Sequence, residues 1–178
     1  MNPLNAGSSA ALDPPRTADA AHAPRLTLVS HSTIAASAER VWNSLQFYEE
    51  LVTPPPLLLR LFLPRPMPAS AGTQELGRET TLHYAGGHYA RRVVRCDPPH
   101  SYEFEVIEQR LTQDRGVKLL YGAYAVRKVD AEHTDLSITT VYSTRLGPRW
   151  LMQWLETMIC RRLQHHLLAE IGKRALQN

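Results

Sequence analysis

The order of elements along this chain predicts an α+β fold. A curved antiparallel sheet of six strands wraps around a long C-terminal helix, with two short helices after the first strand. Three observations carry the prediction. Residues 148–177 read as one amphipathic helix: Leu151, Leu155, Met158, Ile159, Leu163, Leu167 and Ile171 recur at helical spacing, while Arg161, Arg162, Gln164 and Lys173 fall mostly off that stripe. Five strand-like segments on short turns precede it. A further strand and a short helical pattern open the structured region. A helix of that length spans roughly 40 Å and needs an apolar surface to match, which a curved sheet supplies. Such a sheet tends to leave a cavity beneath the helix, so the pattern predicts a container.

Residues 25–34 alternate, with Leu26, Leu28 and Ser30 against Thr27, Val29 and His31, and form the first strand. Ser37 is a good N-cap, and Glu39 suits the first turn of a helix. Val41, Leu45, Tyr48 and Val52 continue that helix on one face, widened by Trp42, until Pro54, Pro55 and Pro56 stop it. The apolar segment 57–63, bracketed by prolines, is the second short helix, and residues 64–77 form a loop rich in Pro, Ala, Ser and Gly. Strands follow at 78–84, 88–96, 102–109, 117–129 and 134–145. Gly86-Gly87 makes a hairpin turn, Asp97-Pro98-Pro99 joins the next pair, and residues 130–133 form a tight polar connection. Sequential strands on short turns pair antiparallel.

Alternation also assigns faces. Leu136, Ile138, Thr140 and Tyr142 share one side of the last strand, and Tyr102, Phe104 and Val106 share one side of an earlier strand, against Glu103 and Glu105. This mixture of large apolar groups with hydroxyls fits either a pocket for an apolar ligand or a packed core whose hydroxyls bond to backbone. The candidate ligand-binding residues are Tyr102, Phe104, Val106, Tyr124, Leu136, Ile138, Thr140, Tyr142, Trp154 and Met158.

The 178 residues, 43% hydrophobic and 21% charged, fit one soluble domain. Residues 1–24 are dominated by Ala, Ser, Asp and Pro and are expected to be a disordered tail, with the domain over 25–178. That tail has no Lys or Arg before Arg16 and no apolar run, so no secretory leader is expected. With no run of 18 apolar residues, a membrane span is not expected. Free thiols at Cys96 and Cys160 and a cytoplasmic location follow as expectations. A net charge of +3, without a basic run interleaved with aromatics, argues against a nucleic-acid partner.

Four stretches resemble the START-like superfamily of polyketide cyclases and birch-pollen allergens, also called SRPBCC: HSTIAASAERVWNSLQFYEELV at 31–52, RRVVRCDPPHSYEFEV at 91–106, GAYAVRKVDAEHTDLSITTVY at 122–142 and LGPRWLMQWLETMICRRLQHHLLAEI at 146–171. Their order and spacing cover about residues 25–176. The resemblance implies a helix-grip architecture, two short helices closing one end, and an internal hydrophobic cavity. Members bind lipids, quinones, hormones or polyketides, and only some catalyse, so the fold does not name the activity. The proline-rich stretch 53–68 departs from typical members.

Eight histidines invite a metal or acid/base reading. His83 and His88 flank the glycine turn. His165 and His166 are neighbours on the long helix, about 100° apart, and cannot chelate one ion from one face. His166 lies nearer the apolar stripe. With no H-x-x-x-H or C-x-x-C pattern, no metal and no cofactor are expected. Cyclisation chemistry would need a base near a ligand carbon and a donor for the enolate oxygen, for which Tyr124, Tyr142, Arg92 and His83 are the strand-borne candidates. Of Arg91 and Arg92, one must face inward, where a ligand anion or a glutamate such as Glu79 or Glu103 would pair with it. Cys160, mid-helix among apolar residues, reads as inert.

Three functions stand open. The first is binding or transport of a hydrophobic or amphipathic small molecule. The second is a cyclase/aromatase using the same pocket. The third is a protein-interaction module like the coenzyme-Q-binding and ribosome-association branches of the resembled superfamily. The segment 57–63, with Arg60, is a candidate lid for transient membrane contact. No stable membrane insertion is expected, and the oligomeric state is left open.

Overall fold

Backbone pairing starts with the first alternating residues. The computed structural model describes residues 25–45, 59, 76–112, 117–144 and 149–177. In chain order these form β1 (Arg25–Ile34), α1 (Ala38–Asn43), β2 (Glu79–Tyr84), β3 (Gly87–Asp97), β4 (Ser101–Leu111), β5 (Val117–Lys128), β6 (Thr134–Thr144) and α2 (Arg149–Gln177). The sheet runs β1-β6-β5-β4-β3-β2, antiparallel throughout. β1 and β6, distant in sequence, pair from Arg25↔Ser143 to Ile34↔Thr134. This is the helix-grip arrangement expected from the sequence. The expected tail, the second short helix apart from Leu59, and most of the proline-rich loop lie outside the described residues. Leu59 itself is helical and fully buried.

The turns form where backbone chemistry allows them. Gly87 has φ 149° and lies so close to the Arg110 carbonyl that a Cβ there would collide with it, so only glycine fits. Thr112 donates to the Gly86 carbonyl at 2.9 Å and ties the β2–β3 hairpin to the end of β4. Ser37 caps α1 by accepting from the Arg40 amide at 3.4 Å, and the Thr134 hydroxyl donates to the Ala36 carbonyl at 2.7 Å, fixing the bend out of β1. Of the expected helix, residues 46–52 lie outside the described residues. The helix stops at Asn43, and Ser44 leaves helical geometry at φ −99°, ψ 0°. Asn and Ser compete with helical backbone bonds, and the Ser44 amide closes the last turn on the Arg40 and Val41 carbonyls.

The inner face of the sheet carries the core. Val93, Tyr102, Phe104, Tyr124, Leu136 and Ile138 pack in one cluster with Val41 of α1 and Leu167, Leu168, Ile171 and Ala175 of α2. α2 lies chiefly along β1 and β6, at one edge of the sheet, and against α1. The outer face is ion-paired: Arg92 bonds Glu79 and Glu105 at 2.5 and 3.1 Å, and the Tyr121 hydroxyl donates to Glu103 at 2.6 Å.

Candidate functional site

Leu26 and Tyr142 stand opposite each other in the β1–β6 pair and share the inner face. Above them α2 crosses the edge of the sheet, and a cleft of about 870 Å³ opens there. Leu26 contributes one apolar wall. On α2, Trp154, Met158, Arg162 and His165 follow at spacings of four, four and three, so one helical face delivers them all to the cleft. Gln153, Thr157 and Arg161 complete its described lining. The Tyr142 hydroxyl lies 3.2 Å from Thr157 Oγ1, so strand and helix meet through a polar contact at this border, and burial pushes the Tyr142 phenol up. The cleft thus joins apolar Leu26, Trp154 and Met158 to a basic rim of Arg161, Arg162 and His165. Among its described lining residues there is no Asp or Glu.

Two polar side chains of α2 turn the other way, into the core. Gln164, 2% exposed, accepts from the Ser30 hydroxyl at 2.7 Å and sits 2.9 Å from Thr140 Oγ1. Glu156, 7% exposed, accepts from the Thr144 hydroxyl at 2.8 Å, while its Oε2 is enclosed without a hydrogen-bond partner. Burial pushes the Glu156 carboxyl up, and the Thr144 hydroxyl partly opposes that. The Nε2 of His166 is likewise enclosed and makes no hydrogen bond.

The residues singled out from sequence are distributed over three places. Trp154 and Met158 line the cleft, with Tyr142 at its border. Tyr102, Phe104, Tyr124, Leu136 and Ile138 lie in the packed core with Val106 against it, and the half-buried Thr140 is bonded by Gln164. Arg92 is corrected: it faces outward onto Glu79 and Glu105, while Arg91 is buried on the inner face, 5.5 Å from the centre of the Phe104 ring. Arg91 shares the parity of Tyr89 and Val93, which decides the face. His83 is also corrected. It pairs with His88 on the exposed side of the β2–β3 hairpin, opposite in parity to buried Leu82 and Tyr84. Tyr124, Tyr142, Arg92 and His83 therefore do not converge on one point.

Sequence reasoning missed Leu26, Gln153, Thr157, Arg161, Arg162 and His165 in the cleft, and Glu156 and Gln164 in the core. The inward hydroxyls of Ser30, Thr140 and Thr144 were the available signal, because buried hydroxyls on a sheet face ask for polar partners from the opposing helix.

No family model matches the chain, and no curated protein matches it. Solved structures do. Norcoclaurine synthase from Thalictrum flavum, in complex with dopamine and hydroxybenzaldehyde, is 16% identical at a TM-score of 0.60, over 89% of this chain and 90% of that one. The Zhui aromatase/cyclase from Streptomyces sp. R1128 is 20% identical at 0.56, over 85% and 94%. Ara h 8.0201 is 12% identical at 0.53, over 87% and 100%. At these identities the likeness shows the fold, the helix-grip arrangement of a sheet around a C-terminal helix. Among the described residues no helix is long and apolar enough to cross a membrane.

Proposed function

We propose that this helix-grip chain binds an apolar or amphipathic small molecule of the lipid, quinone or polyketide kind in the cleft between β1 and α2. The observation that carries the reading is the cleft itself. Its volume of about 870 Å³ falls in the range of small-molecule sites, and a few polar groups stand among apolar walls, as such sites require. The similarity to a structure holding dopamine and hydroxybenzaldehyde agrees with a fold that can hold small organic molecules. The cyclase alternative is disfavoured by the outward turn of Arg92 and His83, which removes half of the acid/base set it would use.

The test is a titration with the neutral fluorophore N-phenyl-1-naphthylamine, followed by emission, alongside native mass spectrometry of protein purified from its own host. Saturable micromolar binding that is lost in Met158→Glu supports the reading. A Met158→Glu protein that binds as well as the parent, or a parent that binds nothing, overturns it.

A further inference from the structure

The charge of the cleft points beyond generic apolar binding. Arg161 and Arg162 both line it and both are exposed. On the sheet, four guanidinium groups are matched: Arg92 with Glu79 and Glu105, Arg95 with Glu103, Arg110 with Glu108, Arg127 with Asp135. Among the described residues, Arg161 and Arg162 have no ion-pair partner, and the described lining of the cleft offers none. Helical spacing sets each one turn beyond a wall residue, Thr157 before Arg161 and Met158 before Arg162. The apolar walls Leu26, Trp154 and Met158 are continuous with this cationic end. A guanidinium pairs bidentately with carboxylate, sulfonate or phosphate oxygens, and two side by side on an apolar cleft form the complement of a molecule with one acidic end.

We infer that the cleft takes an anionic amphiphile, its acidic group held by Arg161 and Arg162 and its apolar body laid against Leu26 and Met158. This rests on the binding reading above and narrows its ligand class. The acidic group could belong to a free molecule or to a lipid headgroup in a membrane, and the arms of the experiment separate the two sources.

A matched pair of probes isolates the charge. 8-Anilino-1-naphthalenesulfonate and N-phenyl-1-naphthylamine share one ring framework and differ by a sulfonate. Both are titrated into the parent and into Arg161→Gln/Arg162→Gln, whose exposed positions leave the fold intact, as far-UV circular dichroism checks. The expected result is that the double variant weakens the sulfonate about tenfold, as two partly exposed ion pairs permit, while the neutral probe changes less than twofold. Dodecanoate should displace the sulfonate probe at lower concentration than dodecanol. Equal losses for both probes, or no loss for either, overturn the inference. Failure of the neutral probe to bind the parent refutes the binding reading instead. Arginine-dependent sedimentation with phosphatidylglycerol vesicles, without sulfonate binding in solution, also overturns the inference and makes this face a membrane contact.

Discussion

Ser30 and Gln164 are joined across 134 positions of chain: the serine hydroxyl donates to Gln164 Oε1 at 2.7 Å, deep between sheet and helix. The other end of the same carboxamide, Nε2, lies 2.9 Å from Thr140 Oγ1 and 3.2 Å from the Leu28 and Ile138 carbonyls. Its two protons are shared among three acceptors. One side chain on α2 thereby holds both β1 and β6, and fixes the helix over the edge where the cleft opens. Replacing Gln164 with Leu leaves the Ser30 hydroxyl buried without its acceptor. It should cost about 1–3 kcal/mol, read as a lower urea midpoint. A loss under about 0.5 kcal/mol would mean that the amide is only filling space.

Phe104 lies over Gly122 on the adjacent strand, and a Cβ at Gly122 would run into the ring. The ring also carries the buried Arg91 guanidinium on its face, at 5.5 Å. Gly122→Ala must displace Phe104 and with it that stacked cation. A destabilisation of about 1–3 kcal/mol is expected, as for other overpacked cores, measured by calorimetry. The double change Gly122→Ala/Phe104→Leu should cost less than the sum of its parts, because the clash is removed with the ring.

Strand identity was legible because it rests on alternation. Arg25–Ile34 was bounded from sequence as it is observed, and the other five strands fall within two residues at each end. α2 was legible in extent and, through Ile159, Leu167 and Ile171, in part of its buried face. Its buried stripe includes Glu156 and Gln164, while Leu151 is exposed and Trp154 is 63% exposed. A hydropathy stripe assumes that buried means apolar. The hydroxyls of Ser30, Thr140 and Thr144 break that assumption by offering hydrogen bonds to polar helix residues. The cleft was half legible, since Trp154 and Met158 were named from sequence. In the sequence Arg161 and Arg162 show only as residues off the apolar stripe, and the position of β1 beside α2 makes them part of a site.

Cys160 should be unreactive in the folded protein. Burial, and then the charge of Glu156 one turn away, push its thiol up to about 12. Because the thiolate is the nucleophile, alkylation by iodoacetamide at pH 8 should run about a thousandfold slower than in the unfolded chain, followed by peptide mass spectrometry. Burial also raises the Cys96 thiol, with Asp97 adding to it, but Cys96 is only partly buried and should label faster than Cys160 in the folded chain. Rapid labelling of Cys160 in native buffer would place that face of α2 in contact with solvent.

Glu156 ties stability to pH, with a sign fixed by its surroundings. Burial is the main cause that raises its carboxyl above the ordinary 4.5, with the Thr144 hydroxyl pulling the other way. A raised acid binds its proton more tightly when folded, so its contribution to stability is complete below about pH 4.5 and is lost as pH climbs through the folded value. Glu156→Gln keeps an acceptor for Thr144 and cannot ionise. The variant should therefore exceed the parent by about 1 kcal/mol at pH 8, with the gap closing as pH falls through the folded value and gone below about 4.5, where the parent carboxyl is neutral in both states. Urea titrations at pH 4, 6 and 8 would measure this. A gap that stayed constant with pH would mean that Glu156 is ionised within the fold, with an unseen partner on its second oxygen.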